Sequence, residues 1–548
     1  MIGMDKNHQK QNSQFNDLSF DYDFIIVGSG FGGSVSALRL SQKGYKVLVI
    51  EKGKWYKGKD FAKTNWNVNK WLWVPFLNFF GIMKLTITRH IMILSGVGVG
   101  GGSLVYANTL PVPKKAFFTS GSWAGLENWE EELKPHYQTA QHMLGANKNP
   151  ALFDGDKALR EVAKDMGREE HFSATQVGVY FGKPDVTVPD PYFNGEGPDR
   201  TGCNFCGACM TGCPNNSKNS LDKNYLYLAL KLGAKIIAEK EVIDVLPNKT
   251  SNNQTEKSGY RVVFRDSTKW IKKTKTLTAK SVIFSGGVLG TLKLLLKLKA
   301  SSLPNLSERI GHDVRTNNET LISVSSLNKD INTSKGVAIG SILETDENSH
   351  LEICRYGEGS GAWKLSHLPY SASKNHLVRY LNMVTGFLKS PIDYFKVYVK
   401  NSWSKNTVVL LFMQTLDSTL VFGRNWRGSL TPRMGSGKKP TPYIPESIQL
   451  TKDYAKKVNG KASSFVGEAL LGIPATAHIL GGAVMSDTPE KGVIDKDNKV
   501  FGYEDLYVID GSMISANPGV NPSLSITAIA ERAMAKIPSK DESNRQKQ

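Results

Sequence analysis

The feature that most constrains this chain is a glycine-rich turn near its N-terminus. Phe24-Ile25-Ile26-Val27 is a short apolar run, read as a buried parallel strand, and it feeds Gly28-Ser29-Gly30-Phe31-Gly32-Gly33. Ser34 to Lys43 then shows helical spacing, and Lys46 to Ile50 is a second strand closed by Glu51. A G-x-G-x-x-G run between strand and helix, with an acid at the end of the next strand, predicts a dinucleotide-binding βαβ unit. In it Gly28 makes the turn and Gly30 lets backbone N–H groups approach a pyrophosphate at the helix N-terminus. Gly33 packs helix on sheet, and Glu51 accepts the ribose hydroxyls.

Further β-rich runs at Lys235 to Ala238, Tyr260 to Phe264, Ser281 to Phe284 and Leu506 to Ile509 are separated by long unlike segments, so the nucleotide domain is assembled from non-contiguous pieces. The expected division of the 548 residues is a polar leader at 1–20 and a nucleotide-binding domain from 21–111, 201–315 and 466–540. A sheet-based substrate domain is expected from 112–200 and 316–465, with a polar tail at 541–548. The fold class is thus α/β, a Rossmann-like domain with an α+β substrate-binding domain.

A second run, Gly96-Val97-Gly98-Val99-Gly100-Gly101-Gly102-Ser103, carries glycine at a density that costs conformational entropy, as expected of backbone pressed on a flat ligand. With Ser285-Gly286-Gly287-Val288-Leu289-Gly290 it points to FAD rather than NAD, because the isoalloxazine needs a close-fitting surface of its own.

These three glycine-rich elements, together with His478-Ile479-Leu480-Gly481-Gly482, Asp510-Gly511-Ser512 and Gly519-Val520-Asn521-Pro522, resemble the glucose-methanol-choline (GMC) oxidoreductases, most of all their cholesterol oxidase-like branch. The resemblance runs from about residue 23 to 535. It implies FAD-dependent oxidation of a secondary alcohol on a bulky apolar, steroid-like substrate, with electrons passed to O2 or another acceptor. It also implies cofactor contacts at Gly28, Gly30, Phe31, Gly33, Glu51, Gly98, Gly100, Gly101, Gly102, Ser103, Tyr106, Asn108, Val242, Gly286, Asp510, Gly511 and Asn521. Val242 would lie by the adenine and residues 100–108 along the flavin.

His478 and Asn521 match the family's catalytic positions: a histidine near neutral pKa manages the hydroxyl proton, and an amide fixes the substrate oxygen. The competing readings are a core histidine and a helix cap. Where the family commonly has Pro after this histidine, Ile479 stands here. Glu352, in His350-Leu351-Glu352-Ile353-Cys354, matches the glutamate that moves the steroid double bond after oxidation; its alternative is an exposed strand residue. Other rivals are a dehydrogenase for a different hydrophobic alcohol and a flavin electron carrier.

Four of the five cysteines fall in Cys203-x2-Cys206-x2-Cys209-x3-Cys213-Pro214, the spacing of a bacterial ferredoxin loop. An iron–sulfur cluster, a zinc site and reduced structural thiols all stay open. For a cluster, either Cys213 folds back or a remote residue such as Cys354 completes the shell.

The formal charge of +19 favours an anionic surface, but the lysines are scattered and no nucleic-acid-binding signature accompanies them, so nucleic acid is not an expected partner. The first twenty residues lack a secretory apolar core and no uninterrupted apolar run spans a bilayer, so a cytoplasmic protein is expected. Peripheral contact with the inner membrane surface is suggested by two aromatic stretches. Trp71 to Met83 is either core or an apolar lid, and Tyr380 to Val399 is amphipathic and interrupted at Pro391.

Overall fold

The computed structural model describes residues 20–248, 259–399, 402–416, 418–437 and 440–545. Apart from Phe20, the expected leader lies outside them, as do 546–548 of the expected tail; the rest of that tail belongs to a short helix, Lys540–Arg545.

Two seven-stranded sheets organise the chain. In the first, Tyr22–Val27 lies between Val47–Ile50 and Thr274–Phe284, parallel to both. Lys235–Ile237 extends it on one side, and the hairpin of Tyr260–Asp266 and Lys240–Pro247 on the other. Leu506–Val508, more than 200 residues after Thr274–Phe284, also pairs parallel with it. The helix Phe31–Gln42 opens immediately after the glycine turn and packs against Ser523–Ala535. The α/β class with a Rossmann-like sheet is therefore the observed one. Val47–Ile50 is apolar and buried throughout, whereas Tyr260–Asp266 in the antiparallel hairpin alternates buried with more exposed positions.

The second sheet is antiparallel throughout, in the order His367–Pro369, Gly460–Phe465, Thr320–Ser326, Thr407–Gln414, Ser349–Cys354, Ile339–Glu344 and Phe172–Ala174. Both faces are covered, so every residue of Thr407–Gln414 is buried. Alternation then assigns the faces. Val408, Leu410 and Phe412 meet the helices Asp154–Asp165 and Pro445–Lys457, while Val409 and Leu411 face an internal chamber and Met413 packs on that same side. On the neighbouring strand the same alternation puts Leu351 and Ile353 toward the helices and His350, Glu352 and Cys354 toward the other side. Residues 112–200 divide their contacts: Phe172–Ala174 joins the antiparallel sheet, whereas Trp129–Met143 packs on the helix Ser523–Ala535, with Tyr137 Oη donating to Ser525 Oγ at 2.8 Å.

The stretch from Trp71 to Met83 divides between its two expected roles. Trp71, Trp73, Ile82 and Met83 are core, and Phe76 and Leu77 stand exposed on the turn of a small hairpin. Tyr380 to Val399 forms parts of two helices, His376–Lys389 and Pro391–Val399, broken where Pro391 cannot continue the first.

Candidate active site and cofactor groove

The glycine elements meet as backbone against backbone. Gly28 has φ of +102°, and a Cβ there would lie 2.3 Å from the Ser285 carbonyl oxygen; a Cβ on Gly33 would lie 2.2 Å from the Gly28 carbonyl. Ser29 fastens the first turn to the second run, accepting from Gly100 N–H at 3.1 Å. Glu51 reaches back under the turn, its Oε2 accepting from Ser29 N–H at 3.0 Å and Ser29 Oγ at 2.7 Å, its Oε1 from Gly53 N–H at 2.8 Å.

These residues wall a groove of two joined cavities, of ≈ 450 Å³ and ≈ 290 Å³, that share Gly30, Gly96, Gly102, Ser285 and Gly287. The larger is also lined by Gly28, Glu51, Gly101, Val242 and Gly286, the smaller by Phe31, Tyr106, Asp510, Gly511, Asn521 and His478. Cβ atoms built on Gly30, Gly287 or Gly290 meet no atom within 4 Å, so glycine leaves the wall flush there. A long groove with a glycine wall and an acid at one end fits a dinucleotide.

Gly33, Gly98, Gly100, Ser103 and Asn108 do not line either cavity; they stand behind the wall. Ser103 Oγ donates to the Gly100 carbonyl at 2.7 Å and accepts from Leu221 N–H at 3.0 Å, which fixes the second run. Asn108 is fully buried at φ of +71°, with neither amide atom paired. Asp510 holds Ser512 N–H at 2.8 Å and the Thr291 hydroxyl at 2.5 Å; burial raises its pKa, with these bonds pulling the other way.

His478 and Asn521 are 43 positions apart in sequence and meet across the smaller cavity, with Nδ2 of Asn521 3.5 Å from Nε2 of His478. The helix-cap reading of Asn521 fails, because Ser523–Ala535 has no side-chain cap bond and Asn521 Oδ1 is unpaired. Sequence reasoning missed the third member. Glu319, just before the strand Thr320–Ser326 and 1 % exposed, holds His478 Nδ1 at 2.8 Å through Oε2. Its Oε1 accepts from Ala477 N–H, His478 N–H and the Thr476 hydroxyl. A Glu beside Asn317-Asn318 at the mouth of a wholly buried strand was the available signal. Burial alone lowers the His478 pKa, but the Glu319 carboxylate, by charge and hydrogen bond, and Glu352 offset it, so the net direction is up.

Glu352 is fully buried, not an exposed strand residue. Neither oxygen has a hydrogen-bond partner, and Oε1 lies 3.7 Å from His350 Nε2. Burial pushes its carboxyl up to about 8, although the nearby His478 and Asn521 pull downward. Burial takes His350 down to about 3, so it is neutral. The chamber beside these groups is lined mainly by apolar side chains, among them Met83, Leu94, Leu321, Trp363, Val409 and Phe465. Its other polar side chain of note, His367, was also missed. It is held by Trp363 O at 2.7 Å and Ser323 Oγ at 2.9 Å, and burial lowers it to about 4.

Cys203, Cys206, Cys209 and Cys213 line one small, separate cavity, while Cys354 lines the apolar chamber. The loop therefore folds Cys213 back to its three neighbours, and the remote thiol is elsewhere. Among the described residues no group of three or more His, Cys, Asp or Glu side chains is placed to hold a single metal ion.

Family comparison agrees with this geometry. The C-terminal and N-terminal GMC oxidoreductase profiles match residues 437–530 and 197–316, and an NAD(P)-binding Rossmann-like profile matches 26–55. A cholesterol oxidase from Acinetobacter baumannii is 44% identical over 535 residues, covering 95% of each chain. The chain is a GMC oxidoreductase. Another cholesterol oxidase, from Mycobacterium tuberculosis, is 43% identical over 96% of this GMC oxidoreductase and 92% of its own length. A solved pyridoxine 4-oxidase from Mesorbium loti shares the fold at 13% identity, with a TM-score of 0.60 over 94% of this chain and 98% of its own. As a member of this family and the cholesterol oxidase-like branch, the chain is an FAD-dependent alcohol oxidoreductase.

Proposed function

We propose that this GMC oxidoreductase oxidises the 3-hydroxyl of a steroid to a ketone. The observation that carries the reading is the Glu319–His478–Asn521 arrangement at the junction of an apolar chamber and the dinucleotide groove. The FAD-binding part is 21–111, 201–315 and 466–540, and the substrate part is 112–200 and 316–465. Gly30, Gly101, Gly102, Gly286 and Gly287 hold FAD along the groove, with Glu51 toward the adenosine end and Asp510 beside the centre.

Glu319 accepts a hydrogen bond from Nδ1–H, which leaves Nε2 as the acceptor facing the chamber. Nε2 receives the substrate hydroxyl proton, and Asn521 Nδ2 holds the same oxygen so that the carbinol C–H is aimed at the groove. FAD, when bound, supplies the hydride acceptor. Oxygen is the proposed final acceptor, as the chain's similarity to cholesterol oxidases suggests. Once the ketone has formed, Glu352 in its deprotonated form moves the adjacent double bond, taking a proton from one carbon and returning it to another.

No described helix is long and apolar enough to cross a membrane. The helix His376–Lys389 nevertheless turns Leu377, Leu381, Val384 and Leu388 to solvent, and Pro391–Val399 does the same with Ile392, Phe395 and Val399. Lys374, Lys389 and Lys396 stand among them. Such a face suits peripheral contact with an anionic leaflet from which sterol is drawn.

Anaerobic addition of a 3-hydroxysteroid is expected to bleach the oxidised flavin spectrum. No bleaching across a steroid panel, with bleaching by long aliphatic alcohols, overturns the substrate reading.

A further inference from the structure

We propose that Cys203, Cys206, Cys209 and Cys213 hold an iron–sulfur cluster, tied through the buried Lys218 side chain to the backbone of residues 104–106. That tie rests on reading 100–108 as the flavin-lining stretch; the cluster itself does not.

Three features of the loop point to a built site. First, its backbone is wound about the thiols at real conformational cost. Phe205 sits at φ of +59°, a conformation that non-glycine residues seldom adopt, and is held by stacking on Phe181 at 5.7 Å. Gly207 and Gly212 are also left-handed. A Cβ on Gly207 would lie 2.2 Å from the Ser334 carbonyl oxygen, and one on Gly212 2.1 Å from the Phe61 ring, so the loop is sealed against two other segments. Second, donors face the sulfurs. Phe205 N–H donates to Cys203 Sγ at 3.4 Å, and the Ser217 hydroxyl, on a residue 2 % exposed, lines the cavity with no partner. Donors of this kind stabilise bridging and terminal sulfur in protein-bound clusters.

The third feature is Lys218. It is 2 % exposed and lines the same cavity, and its Nζ donates to Leu104 O and Tyr106 O at 3.0 Å and to Cys209 O at 2.8 Å. Three carbonyl acceptors use all three protons of an ammonium group, and none of its partners is a carboxylate. The Lys218 side chain lines the cavity beside the four cysteines, where the net negative charge of an iron–sulfur core would favour the ammonium form.

The same geometry argues against zinc. One tetrahedral zinc with Zn–S near 2.3 Å draws its thiolates to roughly 4 Å from one another. Among the described residues no three potential ligands are placed to share one ion. In a cubane each thiolate binds a different iron, so the four sulfurs surround a core instead of converging on a point.

The test is metal and acid-labile sulfide analysis of the full chain, purified anaerobically, reconstituted with ferrous iron and sulfide, and with flavin content measured alongside. About four iron and four sulfide per chain, an absorbance that survives flavin extraction and an electron paramagnetic resonance signal after dithionite reduction are expected. Flavin-replete protein without iron and sulfide, or with a single zinc, overturns the proposal whatever its activity on steroids. Cys209→Ala should lose the iron, and Cys354→Ala should keep it; the reverse pattern overturns the ligand assignment. Should Cys209→Ala fail to bind flavin, Cys213→Ser provides the reading through a changed resonance signal, and an unchanged one counts against Cys213. Lys218→Met should make the cluster's midpoint potential more negative, since a nearby cation favours the reduced state; an unchanged potential overturns the tie.

Discussion

The two sheets bring different kinds of chemistry to the shared groove. The parallel sheet presents backbone: glycines at its strand ends, with side chains such as Ser29 and Glu51 bracing the turn from beneath. The antiparallel sheet places buried side chains behind the groove: Glu319 at the start of one strand, holding His478, and Glu352 and His350 on another, the ionisation of these last two shifted by burial. One wall is a shape that admits a cofactor, and the other is a set of proton sites. Damage to the first should therefore abolish binding, whereas damage to the second should change rates and pH dependence while the flavin stays in place.

The largest effect is expected from Gly28→Val. The new side chain must occupy space 2.3 Å from the Ser285 carbonyl at a φ that branched residues avoid, so protein isolated from cells should carry no stoichiometric flavin. Next comes His478→Ala, which should retain flavin but slow anaerobic flavin reduction by about 10²–10⁴-fold, the usual worth of a positioned general base. Equal flavin loss in both variants would break the division between walls. Stopped-flow absorbance and flavin-to-protein ratios measure both.

Glu319→Gln sharpens the contrast, because it keeps the shape and removes a charge. The His478 pKa is raised chiefly because Glu319 outweighs the lowering by burial, so the substitution should lower it. Oxidation needs neutral Nε2 and therefore fails as pH falls through that pKa; the acid limb of the rate profile should move to lower pH. With ring orientation less firmly held, the plateau rate should also drop, by about 10–100-fold, the scale found for outer-shell partners of metal-bound histidines. An unmoved acid limb would mean that Glu319 only braces the loop at 475–478.

How much of this was legible in sequence follows the same contrast. The cofactor wall was readable because its glycines are local and their spacing is dictated by one strand–turn–helix geometry. Gly28, Gly30 and Glu51 could be named with roles, and His478 and Asn521 came with motifs of their own. Glu319 was not readable. It acts on a residue 159 positions away, through a strand start whose neighbours carry no motif. Glu352 was named from a loose match, but whether it was buried depended on both faces of its sheet being covered, which no local pattern around His350 to Tyr356 encodes. The thiols show an intermediate case: the spacing specified three of them, and only the fold returns Cys213 and sends Cys354 to the chamber.

Exposed residues give a smaller effect. Leu381→Glu with Leu388→Glu lies on the outward face of His376–Lys389 and touches neither wall. Turnover of sterol presented in anionic vesicles should fall by about tenfold, as apolar insertion is replaced by like-charge repulsion. Turnover of sterol delivered in cyclodextrin should be unchanged. A parallel fall in both assays would place these residues at the substrate path instead of the membrane.

The smallest effect on oxidation is expected at Glu352, and its sign is the informative part. A carboxyl whose folded pKa is about 8 is protonated in the folded protein at neutral pH, while the unfolded chain, near 4.5, has released its proton. Folding therefore takes up a proton. The stability this group contributes is complete below about pH 4.5 and is lost as pH rises toward 8. At pH 7 the loss amounts to about 3 kcal/mol. Glu352→Gln keeps the shape and removes the titration, so it should raise Tm at pH 7 more than at pH 5. Alcohol oxidation should change by less than about threefold, since general acid–base work at the hydroxyl belongs to His478. The steroid product should then accumulate with its double bond unmoved. A Glu352→Gln variant that is no more stable, or that still moves the double bond, would remove the proton site from this strand and leave Glu319 as the only acid through which the antiparallel wall acts.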